Sequence, residues 1–152
     1  MIKKIFFVLL FFSLSLFYAC DSDSSSKPTS QQFSESGSID WTEVPQSCDA
    51  LVDGNIASIS ITLKNWSWTE SNTFQENIIH TTQTFSGISQ KEFNYFCNKE
   101  QNEGMNVVCD GLTISCDDYL QAGESAAFVG SMYTSACTQL LNGTVTLKEI
   151  FF

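Results

Sequence analysis

Hydrophobic and polar residues alternate most clearly over residues 58–64, where Ile59, Ile61 and Leu63 fall on one side and Ser58, Ser60, Thr62 and Lys64 on the other. A period of two is the pattern of a half-buried strand. Asp53-Gly54-Asn55 just before it is a turn signal. The alternation returns over residues 144–148 after Asn142-Gly143, a hairpin-type dipeptide, and its phase slips at Glu149, which predicts a bulge or fraying. Between these two stretches, residues 73–85 are rich in Thr, and the runs 93–97, 105–109 and 112–116 are short, β-prone and separated by polar turns. Residues 126–137 carry apolar groups on both faces, Phe128 and Met132 against Val129 and Tyr133, as in a central strand. No stretch shows a clear 3.6-residue stripe. Short strands at regular spacing predict an all-β sandwich or barrel.

The N-terminus is of a different kind. Lys3 and Lys4 precede an apolar run, residues 5–17, interrupted only by Ser13 and Ser15. This run is too short to span a bilayer as a helix and has the form of an export signal. Cleavage after Ala19 by the ordinary signal peptidase would place the large Phe17 at position −3. Leu16-Phe17-Tyr18-Ala19-Cys20 instead resembles a bacterial lipobox, although Tyr18 at −2 departs from the usual pattern. The resemblance implies cleavage before Cys20, diacylglycerol on its thiol, and a lipid-anchored protein of the bacterial cell envelope facing the periplasm or the exterior. Acyl chains anchor by about 0.8 kcal/mol per buried CH₂. Residues 20–38 then form a Ser-rich tether with too little apolar content to fold, spanning about 23 Å r.m.s.. The predicted organisation is a signal peptide over 1–19, a lipidated tether over 20–38 and one domain over 39–152.

Composition narrows the functional classes. The 152 residues hold 7 Lys, no Arg and 17 acidic residues, a formal charge of −10. Without residues 1–19 the chain keeps 5 Lys against 17 acids, a charge of −12. Such a body repels nucleic acid and anionic lipid, so the lipid and not charge is expected to hold it at a membrane.

Beyond Cys20 the chain has five cysteines, Cys48, Cys97, Cys109, Cys116 and Cys137. Export implies an oxidising compartment and disulfides. Six residues separate Cys109 from Cys116, which suits a clip between neighbouring strands. There is no Cys-x-x-Cys pair and His80 is the only histidine, so a structural zinc site is not expected. His80 has no nucleophile motif around it. Asp110, Asp117 and Asp118 form an acidic rim without the ligand spacing of a calcium loop. No catalytic, metal or cofactor site is predicted. Trp66 and Trp68 are the candidate ligand-binding pair, since alternate positions on a strand place both rings on one side, where they could stack on sugar rings. The competing reading buries them, as Trp is highly buried on average.

Three local matches resemble a family. Gly54 before the alternating strand with Asn65 after it, Phe85-Ser86-Gly87-Ile88, and the series Val107-Val108-Cys109, Ile114-Ser115-Cys116 and Leu120-Gln121-Ala122-Gly123-Glu124-Ser125 are similar to the Ig-like "conserved repeat domain" of bacterial surface proteins. The expected Pro of the second motif is missing, and Val107 stands where that family has Trp. The resemblance covers roughly residues 53–148. It implies an Ig-like antiparallel β-sandwich of about seven strands, it points to the same Cys109–Cys116 pair, and its topology favours Cys48–Cys137, leaving Cys97 over. It brings no catalytic residues. The functional expectation is a non-enzymatic envelope module with a structural role or a protein partner, and alternatively a carbohydrate-binding module using Trp66 and Trp68.

Overall fold

A computed structural model describes residues 39–151 of the chain. Six strands form one antiparallel sheet: β1 (Ser47–Asp53), β2 (Ile56–Thr62), β3 (Ser67–Phe74), β4 (Ile78–Ser86), β5 (Met105–Asp110) and β6 (Thr113–Tyr119). Their spatial order is β1-β2-β3-β4-β6-β5, so both β1 and β5 are edge strands. Helix α1 (Gln90–Glu103) connects β4 to β5, and α2 (Ala126–Leu141) and the short α3 (Leu147–Phe151) follow β6. The antiparallel, β-rich character expected from the pattern is present. The second sheet of a seven-stranded sandwich is not found among the described residues. Helices occupy its place, with α2 packed over β1 to β3 and α1 over β5 and β6.

The helices arise where β-prone runs were expected, for local reasons. Ser89 and Glu92 form a capping box: the Ser89 hydroxyl accepts from the Glu92 backbone N–H, and the Glu92 carboxylate accepts from the Ser89 N–H at 2.7 Å. Phe93, Phe96, Cys97 and Glu100 then recur at i, i+3, i+4 and i+7 and are buried. Ser125 caps α2 by accepting from Phe128 N–H at 3.2 Å. The run 126–137 is apolar on two sides because Ala126, Val129, Gly130, Tyr133, Ala136, Cys137 and Leu140 all face inward along a helix, not across a strand. Gly130 permits this fit: a Cβ there would lie 2.0 Å from Val52 Cγ2 on β1. Residues 144–148 are not a strand. Asn142 is the C-cap of α2, and the chain turns directly into α3.

Strand register sorts the side chains onto two faces. Inward rows run Cys48, Ile61, Trp68, Phe85 and, one step along, Ala50, Ile59, Glu70, Gln83, Ile114, Cys109. Aromatic packing closes one end of the core. Phe151 of α3 touches Trp41, Trp66, Trp68 and Phe96, with ring centroids 5.6, 6.0, 4.9 and 5.9 Å away. Phe96 stacks on Phe85 at 4.9 Å. Such pairs each add about 0.5–1.5 kcal/mol beyond area burial.

Two disulfides tie the helices to the sheet edges. Cys48 of β1 is joined to Cys137 of α2, and Cys97 of α1 to Cys109 of β5. Cys116 is free and buried, with its thiol pushed up to about 12 by burial and then by the charge of Glu100. The expected Cys109–Cys116 clip is therefore corrected, and Cys97 is not the odd thiol. The reason is register. The tight turn at Gly111 and Leu112 pairs Asp110 with Thr113 and Cys109 with Ile114. Cys116 is two residues further on and faces the irregular stretch of β5 between Met105 and Val108. Diagonal neighbours of this kind have Cα atoms about 7–8 Å apart, beyond disulfide reach.

The Cys48–Cys137 bond spans 89 residues and the Cys97–Cys109 bond 12. Chain entropy then assigns about 4–5 kcal/mol to the first and about 3 kcal/mol to the second. Paired Cys→Ala variants unfolded in urea are expected to show the larger drop for the β1–α2 bond, and equal losses would contradict the loop-entropy origin.

Candidate functional site

The outward-facing rows of the sheet make the candidate interaction surface. The first row reads Asp49, Ser60, Thr69, Thr84, Thr113, Asp110 across all six strands. The next reads Leu51, Ser58, Ser71, Thr82, Ser115, Val108, and a third reads Asp53, Ile56, Thr73, His80, Asp117, Met105. Neighbouring hydroxyls are thus spaced about 4.8 Å across strands and about 6.8 Å along them. None of these hydroxyl residues is buried; they are half-buried or exposed. Ser60 and Thr69 share a hydrogen bond of 3.1 Å, so the carpet is partly self-ordered. Large apolar side chains stand at its margins: Leu51 is 64% exposed, Val108 60% and Tyr119 63%.

This surface follows from the residue pattern. β-branched Thr and small Ser suit the solvent face of a strand, while the alternate positions supply the core. No strand contains Lys. The charged groups among these rows are the carboxylates Asp49, Asp53, Asp110 and Asp117, with His80 as the one titratable nitrogen. A hydroxyl centre fringed by carboxylates and apolar side chains offers hydrogen bonds in both senses and no attraction for phosphate.

At one end of the face, His80 Nδ1 lies 2.7 Å from Asp117 Oδ1, and Asn106 Nδ2 donates to Asp117 Oδ2 at 2.8 Å. Asn106 sits in the irregular part of β5 with a positive φ of 52°, a conformation Asn tolerates better than most residues. These contacts hold the Asp117 carboxyl below its ordinary range, chiefly through the Asn106 hydrogen bond and then that from His80. Asp110 is on the same face at the far side of β5, whereas Asp118 points inward at the strand end and accepts from the Tyr119 N–H at 2.8 Å. The three acidic residues therefore do not converge, and no group of metal-ligating side chains assembles among the described residues.

Trp66 and Trp68 are not at the surface. They are 4% and 1% exposed and belong to the aromatic core beneath α3. Trp68 is on the inward face of β3, and Trp66 precedes the strand and packs edge-on against Trp41 at 5.9 Å. The pair cannot present a stacking platform in this fold. Cys20 lies outside the described residues. Sequence reasoning passed over the hydroxyl face because Ser and Thr in strands are ordinary polar fillers. Only the register aligns them into rows, although the alternating Ser58, Ser60, Thr62 segment already carried the signal.

No family model matches the chain, and no curated protein or solved structure matches it either.

Two outcomes follow from these placements. Trp66→Ala and Trp68→Ala are each expected to lower stability by about 3–5 kcal/mol in urea unfolding, as for buried aromatic truncations. An unchanged midpoint would return these rings to the surface. Because Asp117 is held below the ordinary range, its contribution to stability is present above that range and lost as pH falls through the lowered value. In Asn106→Ala the Asp117 midpoint, read by carboxyl NMR, should rise toward the ordinary aspartate range.

Proposed function

We propose that this protein is a lipid-anchored, extracytoplasmic binding module without enzymatic activity, and that the outward face of its sheet docks a protein partner of the cell envelope. The observation that carries the reading is the row of Leu51, Ser58, Ser71, Thr82, Ser115 and Val108, an uncharged hydroxyl strip with an exposed apolar side chain at each end. Protein interfaces combine apolar anchors with hydrogen-bonding groups and few charges at their centre, and this strip has that composition. The lipobox-like Cys20 and the Ser-rich tether would hold the domain within reach of a membrane while leaving its orientation free. The acidic charge of −12 after removal of residues 1–19 keeps the body off anionic headgroups and steers basic partner surfaces toward it.

A photocrosslinking residue at Ser71 in the full exported chain, irradiated in cells, tests both parts. A discrete protein adduct is expected from Ser71 and not from Ser131 on the exposed side of α2. The adduct should disappear in a Thr82→Lys variant that keeps its thermal midpoint, and in Cys20→Ala, which removes the anchor. Equal adducts from both positions, or none from Ser71, would reject this face as the docking surface. An adduct that survives Cys20→Ala would reject the anchor while leaving the face intact.

A further inference from the structure

The two edges of the sheet differ. The β5 edge is irregular: its register to β6 shifts between Met105 and Val108, and Asn106 there has a φ of 52°. An irregularity of this kind blunts an edge against pairing with another strand. The β1 edge has no such device. Its 7 residues pair with β2 in unbroken register from Ser47 opposite Thr62 to Asp53 opposite Ile56, and they include neither Pro nor Lys. Residues 49–53 are exposed or half-buried, and Leu51 and Val52, adjacent in sequence, are 64% and 43% exposed.

The phase of the hydrogen bonds decides which groups that edge offers. At the two ends of the β2–β3 ladder, Phe74 N–H donates to the Asn55 carbonyl at 2.8 Å and Leu63 N–H to the Trp66 carbonyl at 2.9 Å. Bonding residues alternate along an antiparallel strand, so Ala57, Ile59 and Ile61 bond to β3, and Ile56, Ser58, Ser60 and Thr62 bond to β1. Their partners on β1 are Asp53, Leu51, Asp49 and Ser47. The N–H and C=O groups of Cys48, Ala50 and Val52 therefore point off the sheet, and no strand or turn among the described residues takes them up. Helix α2 lies over the inward side of β1, with Cys137 bonded to Cys48 and Gly130 against Val52. It covers that side and leaves the lateral row of backbone groups open.

We infer that this edge pairs antiparallel with β1 of a second copy of the chain, about a two-fold axis at Ala50, and so joins two sheets into one. Ala50 then faces Ala50 of the second copy and Cys48 faces its Val52, and each of these residues exchanges N–H and C=O with the one opposite. The charges of the strand itself select this register. On the outward face Asp49 lies opposite Leu51, and Asp53 opposite Ser47. An axis at Asp49 would set that residue against its own copy, and an axis at Leu51 would set Asp49 against Asp53. Like charges directly opposite each other are destabilising. An axis at Cys48 or Val52 would carry one end of the open row past the end of the strand. A second copy is thus the complement that β1 carries in its own sequence, and pairing covers the half-exposed Val52 of both copies. Helix α2 does not obstruct the seam: it contains no charged residue, and between Phe128 and Leu141 its exposed side carries the small residues Ser131, Thr134 and Thr138. Their hydroxyls already donate to carbonyls of their own helix, at 2.7, 3.0 and 2.9 Å. The outward hydroxyl rows of the two copies run on into one face.

The test is sedimentation velocity of the full chain in mild detergent at about 0.15 M salt, where repulsion between the two acidic bodies is screened beyond about 8 Å. A concentration-dependent monomer–dimer equilibrium is expected. Ala50→Pro removes an N–H that points off the sheet, so the ladder to β2 keeps its bonds while the seam loses one donor from each copy. The dissociation constant should rise about a hundredfold, the range of two hydrogen bonds. Leu51→Asp sets a carboxylate opposite Asp49 of the second copy, at a side chain the monomer leaves exposed, and should also yield monomer with an unchanged thermal midpoint. If Ala50→Pro fails to fold, Leu51→Asp decides the question. Thr82→Asp, on the same outward face but on β4, should keep the dimer. A monomer at every concentration would overturn the pairing and leave the edge to a foreign strand. A dimer that persists in both β1 variants would overturn it as well, and would assign self-association to another surface or to the lipid.

Discussion

A single sheet has one face that must be kept from water, and in this protein the covering is secured at both edges. Edge strand β1 is bonded to α2 through Cys48–Cys137, and edge strand β5 to α1 through Cys97–Cys109. The helices are thereby held over opposite halves of the inner face, and the aromatic group around Phe151 closes the end between them. Each edge strand thus carries a helix bonded to it. With only about 113 residues available to the described domain, covalent staples supply stability that a small core supplies less readily.

Covering one face frees the other. Packing decides nothing on the outward side, so the rows there are filled by Ser and Thr, with apolar residues and carboxylates at the margins. The same one-sidedness places the unusual chemistry of the molecule inside. Glu70, Gln83, Asn72 and Thr81 occupy central inward positions that the periodicity reserves for apolar groups. Their presence there breaks the local rule at the strip between the helices, and such breaks are where function or specificity is to be sought.

Much of the sheet was legible from residue order. The alternation at Ile59, Ile61 and Leu63 and the turn at Gly54 mark β2 and its entry, and the runs 105–109 and 112–116 locate the β5–β6 hairpin. The helices were less so. In α1 the aromatic and Cys residues favour strands, and only the Ser89–Glu92 capping box and the 93, 96, 97, 100 spacing argue otherwise. In α2 the inward stripe is broad and rich in small residues, so it resembles a strand buried on two faces.

What the sequence determined by itself is therefore local: which residues alternate, where turns fall, and that the body is acidic and free of Arg. Which cysteines meet, which face stays open and whether Trp66 and Trp68 are reachable were decided only by tertiary structure. The physical reason is that each depends on register and on the docking of α1, α2 and α3, and these are settled by contacts between residues far apart in the chain. A shift of two residues in the β5–β6 hairpin separates the Cys109–Cys116 expectation from the observed Cys97–Cys109 bond. Trp66 and Trp68, which residue order left between a surface pair and the core, are placed in the core by the inward register of β3 and the docking of α3.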